Sequence, residues 1–330
     1  ILPYDSAFSL IPETYHSSCE LLSPRGKLGL MFTAGKKAKQ CQADLLHSFF
    51  VTPLQVKSMP LINTVYDLGF IRYPEHYPLS LGLKLKAMIH WTIRKADLTV
   101  TISEYTRQDL LEFSGIPPER VVTVHCAIDL TIFHPNSQEQ DIAILKKYGI
   151  RQPYILTPGR LNQRKNVIKA VEAYEILRRR NHFSGQIVLV GSPNTFVCQD
   201  MQARIDQSPY RSDIVQTGQI PFAEVPILYR FAQVFCFPSL YEGFGFPSLE
   251  AMACGIPVVC SNSTCFPEVA GEAAMLVDPL DAEQIASQLN RVVSECDLRN
   301  QLIRKGFEQV QKFSWNTAAK QMCDLYRKMS

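Results

Sequence analysis

The sequence lacks a strong excess of charge of either sign. Its 330 residues include 34 lysines and arginines against 31 aspartates and glutamates, for a formal net charge of +3. A protein that binds nucleic acid along its backbone needs a much larger basic excess, so we expect no nucleic-acid partner. With 46% hydrophobic residues the chain is also too apolar to remain disordered.

Long apolar runs and metal-ligand patterns are missing as well. No run approaches the ~18 consecutive apolar residues of a membrane span. The 10 cysteines contain no pair with the two-residue gap of a zinc or redox motif, and several lie in apolar runs such as 234–237. We therefore predict buried thiols in a reducing compartment. The 7 histidines share no ligand spacing, so we expect no metal site.

Two successive series of short apolar segments alternate with helical patterns. Each apolar segment lacks clean polar alternation, as is typical of strands buried on both faces of a parallel sheet. Two such series predict two doubly wound α/β domains, joined by 134–150. The predicted strands are 44–50, 61–66, 98–102, 121–124, 153–157, 187–191, 213–217, 233–237 and 256–260. The predicted helices are 79–95, 104–114, 166–181, 222–231, 247–254, 281–295, 297–312 and 315–328.

The most informative segment is 238–259, PSLYEGFGFPSLEAMACGIPVV. A predicted strand ends near Phe237, a turn with Gly243 and Gly245 follows, and Pro247 opens a helix, where proline is tolerated in the first turn. Glycines before a helix N-terminus let backbone N–H groups approach an anion, which the helix dipole also favours. The segment therefore predicts a diphosphate site. No Gly-x-Gly-x-x-Gly follows a predicted strand, which argues against a dinucleotide oxidoreductase.

Two carboxylates belong to this segment. Glu242 lies in the turn and Glu250 in the first turns of the helix, so both are placed to face one crevice at the ends of the strands. There they could accept hydrogen bonds from two sets of hydroxyls, such as those of a sugar and a ribose. The alternative is a helix-capping carboxylate beside a solvated one.

A second segment, 157–166, follows the first strand of the second domain and reads TPGRLNQRKN. Its loop contains Gly159, Arg160 and Lys165, and the two cations could neutralise a leaving diphosphate. A basic loop is often merely solvated. This one follows a strand at the edge where doubly wound domains bind ligands, which favours a site.

These residues carry a resemblance. The pair GRLNQRKN and PSLYEGFGFPSLEAMACGIPVVCS, followed by FPEVAG and VDP, resembles the donor half of the retaining GT-B glycosyltransferases of family 4. The resemblance covers about 40–330 and is looser in the first half. It implies an α/β GT-B fold, two doubly wound Rossmann-like domains facing a central cleft. The implied divisions are an acceptor-side domain at 1–150, a nucleotide-sugar donor domain at 151–312, and a C-terminal helix at 313–330 that crosses back to the first domain.

The resemblance also assigns roles to residues. Arg160, Lys165 and Glu242 are implied as catalytic, with Glu242 on the donor sugar hydroxyls and Glu250 on the ribose hydroxyls. The implied donor-binding residues are Gly159, Arg160, Lys165, Glu242, Gly243, Phe244, Gly245, Phe246 and Glu250. Residues expected on the cleft or acceptor side are His47, Tyr66, Asp67 and Ser103. For His47, a satisfied core or rim histidine is the alternative.

The first half departs from the family pattern in several places. Tyr66 stands where many relatives have His, and Cys126 and Ala127 stand where they have Asn-Gly. The glycine-rich loop expected near the start is not found in 1–40. Our expectation is that this sequence lacks the first strand and glycine loop of the acceptor domain.

The activity implied by the resemblance is transfer of a hexose from a nucleotide sugar to a hydroxyl of a glycan or lipid-linked acceptor, with retention. We expect metal-independent front-face displacement, UDP-glucose as donor with GDP-mannose next, and a role in polysaccharide or cell-envelope glycan synthesis. The alternatives are a catalytically silent relative acting as a scaffold, or another GT-B enzyme such as a nucleotide-sugar epimerase or a phosphorylase. The expected location is cytoplasmic, peripheral at the inner face of the membrane where the acceptor is lipid-linked.

The predicted helix across 81–96 is amphipathic. Leu81, Leu85 and Ile89 share a face with Met88 and Ile93, whereas Lys84, Trp91, Arg94 and Lys95 fall away from it. A basic helix of this kind suits contact with an anionic membrane. The alternative is a surface helix that packs its apolar face on the first sheet.

Overall fold

The computed structural model describes residues 32–50, 52–53, 59–158, 163–191 and 199–329. The chain divides into two compact units: unit 1 comprises Ile1–His125 and Ala319–Ser330, and unit 2 comprises Cys126–Ala318. Gly159 and Arg160, two of the predicted site residues, lie outside the described residues.

Unit 1 is built on a four-stranded parallel sheet in the order β1-β2-β3-β4. Every residue of β2 and β3 is buried, which explains why these strands read as apolar runs without alternation. The strands are β1 (Leu46–Phe49), β2 (Leu61–Val65), β3 (Leu98–Thr101) and β4 (Val121–Thr123). The helices are α1 (Ala34–Gln40), α2 (Gly69–Arg72), α3 (Leu79–Lys95) and α4 (Glu104–Ser114).

Local sequence accounts for the bounds of α4. The Ser103 hydroxyl caps its start by accepting a hydrogen bond from the Thr106 N–H at 3.1 Å. Gly115 follows its end with φ +63°, in the left-handed region that glycine enters at little cost.

All the buried residues of helix α3 lie in its second half, and Leu85 is half-buried against the same core. Its buried residues are Ile89, Thr92 and Ile93. The alternative in which the apolar face packs on the sheet does not hold at Leu81, which is 41% exposed; Leu83 nearby is 60% exposed. The start of α3 therefore presents leucines to solvent.

Unit 2 contains a six-stranded parallel sheet in the order β10-β9-β8-β5-β6-β7. Counted within the unit this is the order 3-2-1-4-5-6 read from the other edge, and the strand order reverses between β5 and β8. The strands are β5 (Tyr154–Pro158), β6 (Gln186–Val190), β7 (Ile214–Gly218), β8 (Val234–Phe237), β9 (Val258–Ser261) and β10 (Ala274–Val277). The helices are α5 (Asp141–Lys147), α6 (Val167–Arg179), α7 (Gln199–Asp206), α8 (Val225–Arg230), α9 (Phe246–Ala253), α10 (Phe266–Val269), α11 (Ala282–Ser294) and α12 (Cys296–Val310).

The segment predicted to join the domains, 134–150, lies inside unit 2 and contains α5. Arg230 on α8 donates from Nη1 to the Asp141 Oδ2 at 3.0 Å, and each side chain is only 11% exposed. Tyr148 and Lys147 both donate to the Glu224 carboxylate. Because these contacts hold the segment to α8 and its approach, the division falls between residues 125 and 126 rather than between 150 and 151.

The last helix is α13 (Trp315–Met329). Ser314 precedes it and accepts a hydrogen bond from the Thr317 N–H at 3.2 Å, which caps the helix. Residues of α13 from Ala319 onward belong to unit 1. Across the described part of the chain, none of the helices combines the length and the apolar character needed to cross a bilayer.

Most of the described cysteines are either buried or exposed, and Cys126 is half-buried. Cys19 and Cys198 lie outside the described residues. Cys236, Cys254, Cys260 and Cys265 are buried free thiols, and burial raises the pKa of Cys236 and of Cys254 to about 12. The prediction of buried thiols is wrong for those on the outer surfaces of helices or just beyond a helix end, where no apolar face covers them. The exposed cysteines are Cys41, Cys296 and Cys323.

Candidate active site

The two predicted site segments meet at the carboxyl ends of β5 and β8, where the strand order of unit 2 reverses. Side by side, these strands bring the loops that follow them together. The Arg164 carbonyl accepts hydrogen bonds from the Leu240 N–H at 2.8 Å and the Ser239 hydroxyl at 3.0 Å. Doubly wound folds bind their ligands at this point of reversal.

Lys165 and Glu242 form an ion pair between the two loops. The Lys165 Nζ donates to the Glu242 Oε1 at 2.8 Å, and the side chains are 12% and 9% exposed. The same Oε1 accepts a hydrogen bond from the Ser239 hydroxyl at 2.7 Å. From the sequence, Lys165 was expected on the diphosphate and Glu242 on the sugar hydroxyls, and their contact was not predicted.

The Lys165 ammonium also lies over the Phe237 ring, 4.9 Å from its centroid. This cation–π contact, with the Glu242 carboxylate, compensates for the loss of water around a charge that is mostly buried. A fixed cation in a partly dry crevice interacts with a phosphate far more strongly than one in open solvent.

Asn166 joins three loops, a role that sequence analysis missed. Its Nδ2 donates to the Pro238 carbonyl at 3.0 Å and to the Pro279 carbonyl at 2.6 Å. Asn166 has φ +52°, in the left-handed region that asparagine enters more readily than most residues. The sequence signal for this role was an asparagine placed between a basic loop and a predicted helix. Through these two hydrogen bonds Asn166 ties the loop after β5 to the segments that follow β8 and β10.

The start of α9 lies beside this pair. Gly245 precedes the helix with φ +80°, and a Cβ there would lie 3.1 Å from the Phe266 ring, so both backbone and space favour glycine. Phe244 is buried at 2% exposure, whereas Phe246 is 37% exposed. The predicted turn and helix start are thus present, and the turn that contains Glu242 leads directly into the positive end of the α9 dipole.

Glu250, on α9, has a partner that the sequence did not indicate. The buried Tyr229 hydroxyl donates to the Glu250 Oε2 at 2.8 Å. Burial raises the pKa of Glu250, while the Tyr229 hydroxyl and the Lys165 charge partly offset that rise. Lys165 therefore acts on both predicted carboxylates, Glu242 by contact and Glu250 through its field.

The residues predicted for the acceptor side lie in unit 1, and they differ in burial and in hydrogen-bond partners. Ser103 is fully buried as the cap of α4. The Asp67 Oδ1 accepts a hydrogen bond from the Gly69 N–H at 2.9 Å, at the start of α2. Tyr66 is 44% exposed directly after β2. His47 is a satisfied histidine: its ring nitrogens bond the Tyr326 hydroxyl at 2.7 Å and the Thr64 hydroxyl at 2.8 Å.

In the residues that the structure covers, no cluster of three or more His, Cys, Asp and Glu side chains is arranged to hold a metal ion.

Comparison with known sequences gives matches to both halves of the chain. Residues 140–309 match the family Glycosyl transferases group 1, and residues 13–132 match Glycosyltransferase Family 4. The O-antigen chain mannosyltransferase B of Escherichia coli is 30% identical over 81% of this chain and 70% of its own length. The alpha-maltose-1-phosphate synthase of Mycolicibacterium smegmatis is 28% identical over 82% of this chain and 74% of its own.

Solved structures share the fold. Anabaena Alr3699/HepE in complex with UDP and glucose aligns with a TM-score of 0.75 at 20% identity, covering 99% of this chain and 90% of that one. The sucrose-phosphate synthase of Thermosynechococcus elongatus aligns with a TM-score of 0.74 at 24% identity, covering 89% and 75%. The expected α/β GT-B fold of two parallel-sheet Rossmann-like domains is confirmed. With 140–309 matched and the loops of that match meeting at β5 and β8, this chain belongs to the glycosyl transferases group 1 family.

Proposed function

We propose that the protein transfers a hexose from a nucleotide sugar to a hydroxyl of a glycan or lipid-linked glycan, with retention of the anomeric configuration. The observation that carries the proposal is the buried Lys165–Glu242 pair at the β5/β8 reversal, beside the start of α9. These groups combine a fixed cation, a helix N-terminus and a hydroxyl-accepting carboxylate within one small region. A nucleotide sugar suits these groups, because its diphosphate can bind the cation and the helix N-terminus while its sugar hydroxyls donate to the carboxylate.

The proposed step begins as the bond between sugar C1 and the diphosphate oxygen breaks. Negative charge then grows on the phosphate oxygens, where Lys165, the α9 N-terminus and, by family resemblance, Arg160 stabilise it without a metal. The acceptor hydroxyl attacks C1 on the same face and gives its proton to the departing phosphate. Glu242 orients the sugar by accepting from its hydroxyls, and Glu250 accepts from the ribose.

We place mannose first as the transferred sugar and GDP-mannose first as the donor. The support is the relative named as a mannosyltransferase, which is 30% identical and matches 81% of this chain. UDP-glucose, favoured by sequence analysis, is the second candidate. The two donors share the diphosphate and the ribose, so both suit the groups around Lys165.

The test is a donor panel that compares nucleoside diphosphate release from GDP-mannose and UDP-glucose in the presence of mannosyl and glucosyl oligosaccharides. We expect the highest kcat/KM with GDP-mannose, the same rate with EDTA present, and an α-linked product by NMR. Release from neither donor would favour a silent scaffold, and a β-linked product would overturn front-face displacement. A rate that fell with EDTA would show that the cations are insufficient.

The start of α3 supports a further part of the proposal, contact with an anionic membrane that holds a lipid-linked acceptor. Leu79 and Leu83 are 79% and 60% exposed, and Lys84 and Lys86, which follow them, are exposed too. Leucines that enter the interface beside lysines that pair with lipid phosphates are the two signals that peripheral binding requires.

We expect the protein to sediment with phosphatidylglycerol vesicles and not with phosphatidylcholine vesicles. Replacing Lys84 and Lys86 with glutamine should lower the partition coefficient by about tenfold or more, since each lysine near the surface contributes about 1 kcal/mol. Leu83→Ser should also lower the partition coefficient, because it removes an exposed leucine from the start of α3. Leu280→Ser is its matched control, because Leu280 is 65% exposed in unit 2. Equal partition into both kinds of vesicle, or into neither, would rule out specific binding of the protein to an anionic membrane.

A further inference from the structure

Two half-exposed aromatic side chains lie together at the carboxyl edge of the sheet in unit 1. Phe49 is the last residue of β1 and is 53% exposed. Tyr66 directly follows β2, the strand paired with β1, and is 44% exposed. The carboxyl edge of a parallel sheet is where doubly wound domains bind their ligands. Two large rings side by side at this edge are therefore candidates for contact with a ligand.

The two rings are nearly parallel. Their planes differ by 10° and their centroids are 6.3 Å apart, so the rings are offset rather than face to face. About half of each side chain is exposed, 53% for Phe49 and 44% for Tyr66, and that area is open to a ligand. A pair of side chains is far smaller than the ~800 Å² per partner of a stable protein interface, so a small ligand suits it better.

Phe49 is supported from behind by His47. The two ring centroids are 4.6 Å apart with planes at 30°. His47 is itself held on both sides, by the Thr64 hydroxyl on β2 and by the Tyr326 hydroxyl on α13. Burial lowers the pKa of His47 to about 4, so the imidazole is neutral at physiological pH, with one ring nitrogen donating and the other accepting. This network fixes Phe49 before any ligand arrives, which reduces the entropy lost on binding.

We propose that Phe49 and Tyr66 form a platform on which a pyranose ring of the glycan acceptor stacks. A pyranose presents a face of C–H groups that is apolar and flat enough to lie on an aromatic ring, while its hydroxyls point outward to polar groups. The inference rests on the proposed function, glycosyl transfer. The residues assigned to the donor lie in unit 2, whereas the platform belongs to unit 1, so we assign it to the acceptor and not to the donor.

The experiment measures binding of methyl α-D-mannopyranoside to the full chain by saturation-transfer NMR, beside GDP and UDP binding measured by thermal shift. Phe49→Ala and Tyr66→Ala should each weaken binding of the mannoside about tenfold, equivalent to about 1.4 kcal/mol. Neither should change the melting-temperature shift produced by the nucleotides. Tyr66→Phe keeps the ring and should bind the mannoside as the unaltered protein does. Phe32→Ala is the matched control for Phe49→Ala, because the Phe32 side chain is 52% exposed, nearly the same as that of Phe49.

The outcomes separate this inference from the proposed function. Phe49→Leu keeps apolar bulk without a ring, so it tests stacking even if Phe49→Ala folds poorly, and it should weaken the mannoside as alanine does. If the protein binds a nucleotide but not the mannoside, or if all variants bind the mannoside equally, the platform is wrong and the proposed function stands. If neither GDP nor UDP binds, the proposed function itself fails.

Discussion

Replacing Lys165 with methionine is expected to lower kcat about a thousandfold. The ammonium is mostly buried at the β5/β8 reversal, 2.8 Å from the Glu242 Oε1 and 4.9 Å from the centroid of the Phe237 ring. Methionine keeps the length and apolar contact of the side chain but removes the cation that would face the leaving diphosphate. The measurement is the rate of nucleoside diphosphate release at saturating donor.

Loss of the cation also affects folding, because it leaves the Glu242 carboxylate without its ammonium partner. We expect the free energy of unfolding to fall by up to about 3 kcal/mol, since the remaining carboxylate is then buried without an opposite charge. Lys165→Arg keeps the charge and should recover both stability and part of the rate. Lys169→Met is the control: Lys169 pairs with Glu172 at 2.8 Å but is 31% exposed, so its loss should change little. A Lys165→Met enzyme that keeps a tenth or more of the rate would contradict the assignment.

Glu242→Gln is expected to lower kcat/KM about a hundredfold while the protein remains folded. The amide oxygen still accepts from the Ser239 hydroxyl and from the Lys165 ammonium, so the connection between the loops persists. The negative charge that strengthens hydrogen bonds from the donor sugar hydroxyls is lost. Steady-state kinetics with the preferred donor measures the effect.

Nucleotide binding distinguishes this role from a structural one. In the proposed site Glu242 contacts the sugar and not the nucleotide, so its replacement should not weaken the affinity for free GDP or UDP by more than about twofold, whereas a general collapse of the site would weaken it strongly. Glu272→Gln is the matched control, since Glu272 pairs with Lys305 at 2.8 Å but is 90% exposed. Equal loss of activity in both glutamine variants, or none in Glu242→Gln, would remove Glu242 from the site.

Much of the fold could be predicted because most strands are buried on both faces. The run 234–237 is fully buried and forms β8, and the same holds for β2 and β3. The strand β10 was missed because its middle residues are only half-buried and its four residues give little pattern. Helix α5 was missed because the prolines, glycine and polar residues around it are typical of a linker, and its burial depends on the distant Arg230.

The site was predicted by residue type and spacing, but its pairings were not. Lys165 and Glu242 lie 77 positions apart, and Tyr229 and Glu250 lie 21 apart. Neither separation matches a helical or strand repeat, so no local pattern signals the contact. The strand order decides these pairings, because it alone sets which loops are neighbours. His47 shows the same limit, since its partner Tyr326 is 279 positions away.

The division of the chain bears on how this enzyme could be rebuilt. Unit 2 is one uninterrupted stretch, Cys126–Ala318, while unit 1 is assembled from the residues before and after it. Unit 2 thus has the layout of an inserted cassette, and a chimaera that takes this cassette from a relative needs two crossovers. The second crossover falls in the first turns of α13, so the helical phase must be kept there. A truncation that removes the second half of α13 would alter unit 1, which contains Phe49 and Tyr66, because Tyr326 on α13 holds His47 there.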